Sequence, residues 1–341
     1  MSDNASQEQQ QQQMEKIFIC AEVCLETFAF INPFGLGLKM ALINRRFDKL
    51  VGMHFKLREW SLCSMEICRA NDENGARIIN NRSVELPQPI PLEKFPDKVI
   101  GFKRIEISYF DQTVMEFLRR MRRLFDSSGT NVWFDTSYCQ NRSWEIIRQI
   151  WPLVNDNICG LSLLETVQLD NLRRISPAIL RNCANLRTIN AIGFFPEFPA
   201  EDNAGACCRQ ALAKWLFTPR ADGLPKMLYC SFVRARMDGL KRSFANALEP
   251  ANFILRFEID KDDRRFVPFE LKNNWTGERL TTLRLLDKGL LVRCPVRREE
   301  DKWAKWEEEA IQWKWQRHQK NIAISFEDSD IGDVVLENQI G

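Results

Sequence analysis

Apolar residues recur along this chain with two different periods, and its organisation changes where the period changes. Helical spacing dominates the first stretch. Leu25, Phe28 and Ile31 precede Pro33; Leu36, Met40 and Ile43 mark a second face, with Leu38 and Leu42 beside it; Phe47, Leu50, Val51 and His54 mark a third. Pro33 stands where a new helix begins, because proline lacks the N–H that a first turn does not use. The spacing predicts three short helices over 17–60, a unit so small that a partner or neighbour has to cover it.

From residue 99 onward, strand-like and helix-like runs alternate. Runs rich in aromatic and branched residues at 104–110, 131–136, 158–164, 186–192, 226–232 and 252–257 read as strands, their starts separated by 27, 27, 28, 40 and 26 residues. Helical spacing occupies 114–125, 144–154, 169–183, 210–217 and 237–246; the first puts Val114, Phe117, Leu118, Met121 and Phe125 on one face. A strand–helix unit at a fixed period predicts a leucine-rich-repeat-like β/α solenoid, each unit burying its apolar face on the next. An ordinary parallel α/β sheet is the alternative. The one long gap holds Phe194, Phe195 and Phe198 among prolines. This insertion is a substrate contact if exposed and a plug if tucked in.

Beyond 258 the order changes again. Runs at 267–271, 279–286 and 290–294 read as strands, and the short turns between them favour antiparallel pairing. A helix over 299–319 and a strand over 322–326 follow. The helix carries Trp303, Trp306, Ala310 and Trp313 on one stripe, with Trp315 off it, and is expected to pack that stripe on the C-terminal sheet. The fold class expected is thus α/β: a disordered Gln-rich tail (1–16), a three-helix unit (17–60), a proline-rich linker (61–98), the repeat-like β/α region (99–258), an antiparallel C-terminal lobe with one long helix (259–327), and an acidic tail that frays (328–341).

Charge and composition narrow the function. Among 341 residues, 48 Lys and Arg are interleaved with 46 Asp and Glu, without the basic excess of a nucleic-acid binder. The Arg119, Arg120, Arg122 and Arg123 cluster reads as a solvated helix face. Eleven cysteines are scattered with no Cys-x2-Cys pair, and the only histidines are His54 and His318, so the spacing of a zinc site is missing. With no signal-like segment and no run approaching the ~20 apolar residues of a membrane span, a cytoplasmic or nuclear protein with reduced thiols and no membrane partner is expected. Phosphate-loop and Gly-x-Ser-x-Gly patterns are lacking, and Gly35-Leu36-Gly37 is too short for a dinucleotide fingerprint. No catalytic residue, cofactor or metal is expected, and the chain reads as non-enzymatic. A hydrolase or transferase would need a polar cleft with converging titratable groups.

The segment 19–51 resembles an F-box. Glu22, Val23, Phe28, Pro33, Leu36, Leu42, Arg45, Arg46, Phe47 and Leu50 stand at the spacings of that family's pattern, with Trp60 close to a position where many members carry tryptophan. Cys20, Gly35 and Asn44 depart from it, where the family usually has Pro, Asp and Cys. The wider chain looks like the large, divergent F-box families of nematodes. The resemblance implies a substrate-recognition adaptor of a Skp-cullin-F-box ubiquitin ligase. It would dock a Skp-type adaptor, and through it a cullin, by Ile19, Glu22, Val23, Phe28, Pro33, Phe34, Leu36, Leu38, Leu42, Phe47 and Leu50, and hold a protein substrate on the repeats. A repeat-type scaffold with no link to ubiquitin is the alternative. No residue stands out as a substrate contact.

Overall fold

A computed structural model describes residues 19–31, 36, 40–57, 59–70, 75–80, 88–91, 99–126, 129–136, 141–259, 267–285, 288–313 and 320–334. The Gln-rich tail expected over 1–16 lies outside these residues. The chain forms two compact units, 1–61 with 96–100 and 62–95 with 101–341.

The smaller unit is helical. Helix α1 (Ala21–Phe28) is followed by a single short α-helical segment at Ala41–Ile43 and by α2 (Arg45–Leu57). Cys24 and Phe28, one turn apart, face Leu50 and Val51, and Leu36 closes this small core. Asn44 starts α2, its Oδ1 accepting the Arg46 and Phe47 N–H groups at 3.0 Å each. That satisfies two donors a helix start leaves unpaired.

The larger unit is a mixed α/β body around one mostly parallel sheet. Its strands are β1 (Trp60–Arg69), β2 (Ala76–Asn80), β3 (Gln88–Pro89), β4 (Val99–Ile107), β5 (Thr130–Phe134), β6 (Ile158–Leu163), β7 (Thr188–Ala191), β8 (Lys226–Ser231), β9 (Phe253–Glu258), β10 (Glu270–Asn273), β11 (Glu278–Leu285), β12 (Lys288–Pro295) and β13 (Asn321–Ile324). Among the described residues they form a 13-stranded sheet in the order β10-β11-β12-β9-β8-β7-β6-β5-β13-β4-β1-β2-β3. The block from β4 to β9, with β13 inserted, is parallel throughout. Antiparallel strands flank it: β12, β11 and β10 at one side, and the β1–β2–β3 meander at the other.

Connections within the block run through α3 (Gln112–Asp126), α4 (Asn141–Val154), α5 (Thr166–Arg173) with α6 (Ile179–Asn182), α7 (Cys208–Phe217) and α8 (Arg234–Ala245). Strands β4 to β9 advance across the sheet in one direction. Right-handed crossovers then put every connecting helix on the same face. The register makes this visible. Ile105, Ile322, Val132, Leu161, Ile189, Leu228, Leu255 and Leu291 are direct neighbours across eight strands, and all are buried beneath the helices. Burial of each such side chain contributes about 1.5–3 kcal/mol.

Four expectations are corrected. The stretch 61–98 is not a plain linker: its described parts include most of β1, and β2 and β3, with Leu62, Met65 and Ile67 of β1 buried. Pro89 fits there because an edge strand does not need every ladder N–H. The single helix expected over 169–183 is broken into α5 and α6, since the residue before Pro177 is pushed out of the helical region. The strands after 259 are antiparallel as expected but form no separate lobe; β12 pairs directly with β9, which otherwise ends the parallel block with an open edge. Finally, 328–333 does not fray. Ile331 bridges Phe110, and the Phe110 N–H donates to the Asp330 carbonyl at 3.0 Å. The Asp328 carboxylate accepts from Ser143 N (2.7 Å) and Oγ (2.9 Å) at the start of α4.

A long helix follows β12 as expected, here α9 (Glu300–Gln312). It lies on the face opposite the crossover helices. Trp303, Ala310 and Trp313 pack on Met227, Tyr229, Ile254, Leu290, Val292 and Cys294, whose side chains alternate with the helix-covered row. Trp315 lies outside the described residues. Among the described residues no helix is long and apolar enough to cross a membrane.

Candidate functional site

The residues singled out in the helical unit separate into two groups. Phe28, Leu36 and Leu50 are buried in the unit's own core, and Phe47 packs against them, its ring 6.3 Å from Phe28. A unit of this size has few large apolar side chains and needs these for itself. Ile19, Glu22 and Val23 are exposed. The side chain of Leu42 and all of Pro33, Phe34 and Leu38 fall outside the described residues. Periodicity did not single out Phe30, which is 91% exposed just past the end of α1. His54 is a core residue, meeting Phe28 edge-on at 5.9 Å.

On the sheet unit, α9 covers only part of the face away from the crossover helices. The remainder is a cleft of about 760 Å³. Its floor is a second cross-strand row, offset by one residue from the apolar one. Trp133, Ser162, Asn190, Tyr229 and Arg256 follow one another in register, and Ala323 and Glu106 continue the row beyond the cleft. Alternation along each strand turns these residues away from the helices.

Each floor residue has a defined setting. Asn190 Nδ2 donates to Ser162 Oγ at 3.0 Å. Arg104 and Glu106 form an ion pair at 3.0 Å. The Tyr229 and Trp313 rings stack with centroids 4.3 Å apart and planes 15° from parallel. The Arg256 guanidinium lies 4.7 Å from the Tyr229 ring centre and donates to the carbonyls of Ala310, Ile311 and Trp313 at 3.1–3.3 Å. Those carbonyls close α9, where no helical N–H remains to pair them. Burial pushes the Tyr229 phenol up, so it stays neutral at physiological pH. The indole N–H of Trp133 is buried without an acceptor.

Leu164, Ile192, Ser231 and Glu258 form the rim, with Asp135 beyond Trp133. Burial, and after it the charge of Glu106, raises the Asp135 carboxyl above its ordinary value. Ser162, Asn190 and Tyr229 are buried and Trp133 and Arg256 half-buried, whereas the two carboxylates are exposed, Glu258 in the cleft lining and Asp135 just outside it. Ser162 meets an amide, and Ser231 donates to the Ile192 carbonyl, so neither serine is paired with a titratable base among the described residues. Among the described residues the cleft brings together no nucleophile–base pair.

Other sequence candidates fall elsewhere. Phe194 and Phe195 are buried and Phe198 packs edge-on against Phe217 at 5.1 Å, so the insertion plugs its unit. Arg120 donates to Glu116 and to the Pro91 carbonyl, and Arg122 meets Asp156. The floor residues were missed, although a signal existed: Trp133, Ser162, Asn190, Tyr229 and Arg256 are spaced by the same near-constant repeat as the strands, with its one long step.

The chain matches no protein-family model, no curated protein and no solved structure.

Proposed function

We propose that this chain is a non-enzymatic substrate-recognition adaptor of the Skp-cullin-F-box type, working in the cytoplasm or nucleus. Its helical unit docks a Skp-type adaptor, and its sheet holds a protein substrate on the cleft face. The observation that carries this reading is the one-sided sheet. Strands in chain order with all crossover helices on one side support a leucine-rich-repeat-like solenoid, modified by β13 between β4 and β5. Such folds expose a strand face to partners. A separate helical unit with Ile19, Val23 and Phe30 exposed supports the docking half, since apolar side chains outside a core are the ones a partner groove covers.

The reading moves the docking residues outward, from Phe28, Leu36 and Leu50 to Ile19, Glu22, Val23 and Phe30. The full chain, mixed with a purified Skp-type adaptor at micromolar concentration, co-elutes with it on size exclusion. Ile19→Glu with Val23→Glu abolishes co-elution while leaving the thermal transition in place. Separate elution of the unmodified proteins leaves the scaffold without ubiquitin as the surviving function.

A further inference from the structure

The cleft rim carries a charge pattern that points to the kind of segment it holds. Two residues beyond the floor, on the same face, Asp135, Leu164, Ile192, Ser231 and Glu258 follow one another across β5 to β9, with Ser231 and Glu258 in direct register. Asp135 and Glu258 are exposed, and neither has an ion-pair partner among the described residues. Of the nearby cations, Arg104 is engaged with Glu106 and Arg256 with the α9 carbonyls, while Lys288 of β12 stands in register with Glu258 without forming an ion pair. Between the two acids, Ile192 is 56% and Leu164 38% exposed, adjacent apolar side chains on otherwise polar ground.

Four inter-strand spacings separate β5 from β9, which puts the two carboxylates about 19 Å apart. An extended chain covers that distance in about six residues. We infer that the cleft face holds an extended peptide segment crossing the strands, with a basic side chain at each end, about six residues apart, and an aliphatic residue between them on Leu164 and Ile192. This deepens the substrate half of the proposed function and rests on it. The floor strands are paired on both sides, so the segment adds no strand to the sheet and is held through side chains. Two unpaired acids disfavour a nucleic-acid backbone on the same face.

The test uses the full chain alone and fluorescein-labelled peptides of about seven residues with arginine at both ends, leucine at the centre and serine or glycine elsewhere. Anisotropy titration shows this peptide binding about tenfold more tightly than one with serine ends, as two surface ion pairs allow. Glutamate ends, or two adjacent arginines, bind no better than serine. Asp135→Asn and Glu258→Gln each weaken the arginine-ended peptide about three- to fivefold and leave the serine-ended one unchanged. Both positions are exposed, and thermal melts of the variants match the parent. Absence of peptide binding, equal binding of all four peptides, or indifference to both substitutions overturns the inference. The measurement contains no Skp-type adaptor, so its failure and a failed co-elution are separate results.

Discussion

The two faces of the parallel block are made by neighbouring residues of the same strands and are chemically opposite. One carries seven aliphatic residues in an unbroken row, continued by Leu291 of the antiparallel β12. The other carries a carboxylate, an indole, a hydroxyl, an amide, a phenol and a guanidinium in the row beside it. On the covered face only apolar contact with the crossover helices is available, and an unpaired polar atom there costs more than it returns. Charge enters that side at its margins and only with partners. Arg293 of β12 is fully buried with Glu278 at 2.5–3.0 Å, among the rings of Phe217, Phe244 and Phe253. Lys226 opens β8 and donates to the Trp215 carbonyl. The cleft face meets no crossover helix, and its polar side chains pair with one another and with the end of α9: Asn190 with Ser162, Arg104 with Glu106, and Arg256 with the last carbonyls of α9.

That contrast is open to attack at its strongest point first. Glu278→Ala leaves the Arg293 charge buried and unpaired, and a chemical-denaturation curve is expected to show a loss of about 3–5 kcal/mol. A loss under 1 kcal/mol means the covered face tolerates free charge and the contrast fails. Adjacent residues of β7 compare the two faces directly. Ile189→Ala is expected to cost about 2–5 kcal/mol and Asn190→Ala about 1 kcal/mol, because the first opens a cavity and the second loses one hydrogen bond to Ser162. Equal losses would remove the distinction between fold row and binding row. Asp328→Ala removes a cap supplied to α4 from far along the chain and is expected to cost about 0.5–2 kcal/mol in the same assay.

Lys226 tests the same contrast through pH. Burial, aided by the Arg220 charge, lowers its amine from the ordinary 10.5 to about 7. Below pH 7 the amine is charged in both folded and unfolded chains, and the folded state carries the whole burial penalty. Between pH 7 and 10.5 the unfolded chain binds a proton that the folded chain does not, so this residue's contribution to stability rises with pH. The stability of Lys226→Met relative to the parent therefore falls steadily across that window when denaturation midpoints are compared. A difference that stays flat with pH would show that the amine is not desolvated.

Much of the parallel block was legible in the chain. All six strand runs expected between 104 and 257 have counterparts, with ends shifted by at most a few residues apart from the earlier start of β4 at Val99. Their side chains alternate with period two beside helices of period 3.6, and both periods are local. The Asn273–Gly277 turn was equally legible: Asn273 Oδ1 accepts from Trp275 N, and Gly277 takes φ 68°, a conformation that glycine adopts without strain. β1 was missed because its buried Leu62, Met65 and Ile67 are interrupted by Cys63, Ser64 and Glu66. In the helical unit, periodicity found Phe28 and Leu50 as apolar positions but could not say which way they point. Apolar residues of a core and of a docking face look the same in a sequence.

Local pattern thus determined the order of strands and helices, the repeat of about 27 residues, the packing stripe of Trp303, Ala310 and Trp313, and the turns. Those features depend on interactions within a few residues of each other. The tertiary structure alone decided that β13 enters between β4 and β5, that β12 continues the sheet at β9, and that Trp133, Ser162, Asn190, Tyr229 and Arg256 share one row. Each of these is a long-range pairing settled by which edge is free and which face is uncovered once the rest has folded. The candidate site is built from such pairings, so its residues became visible only when the strands were brought together.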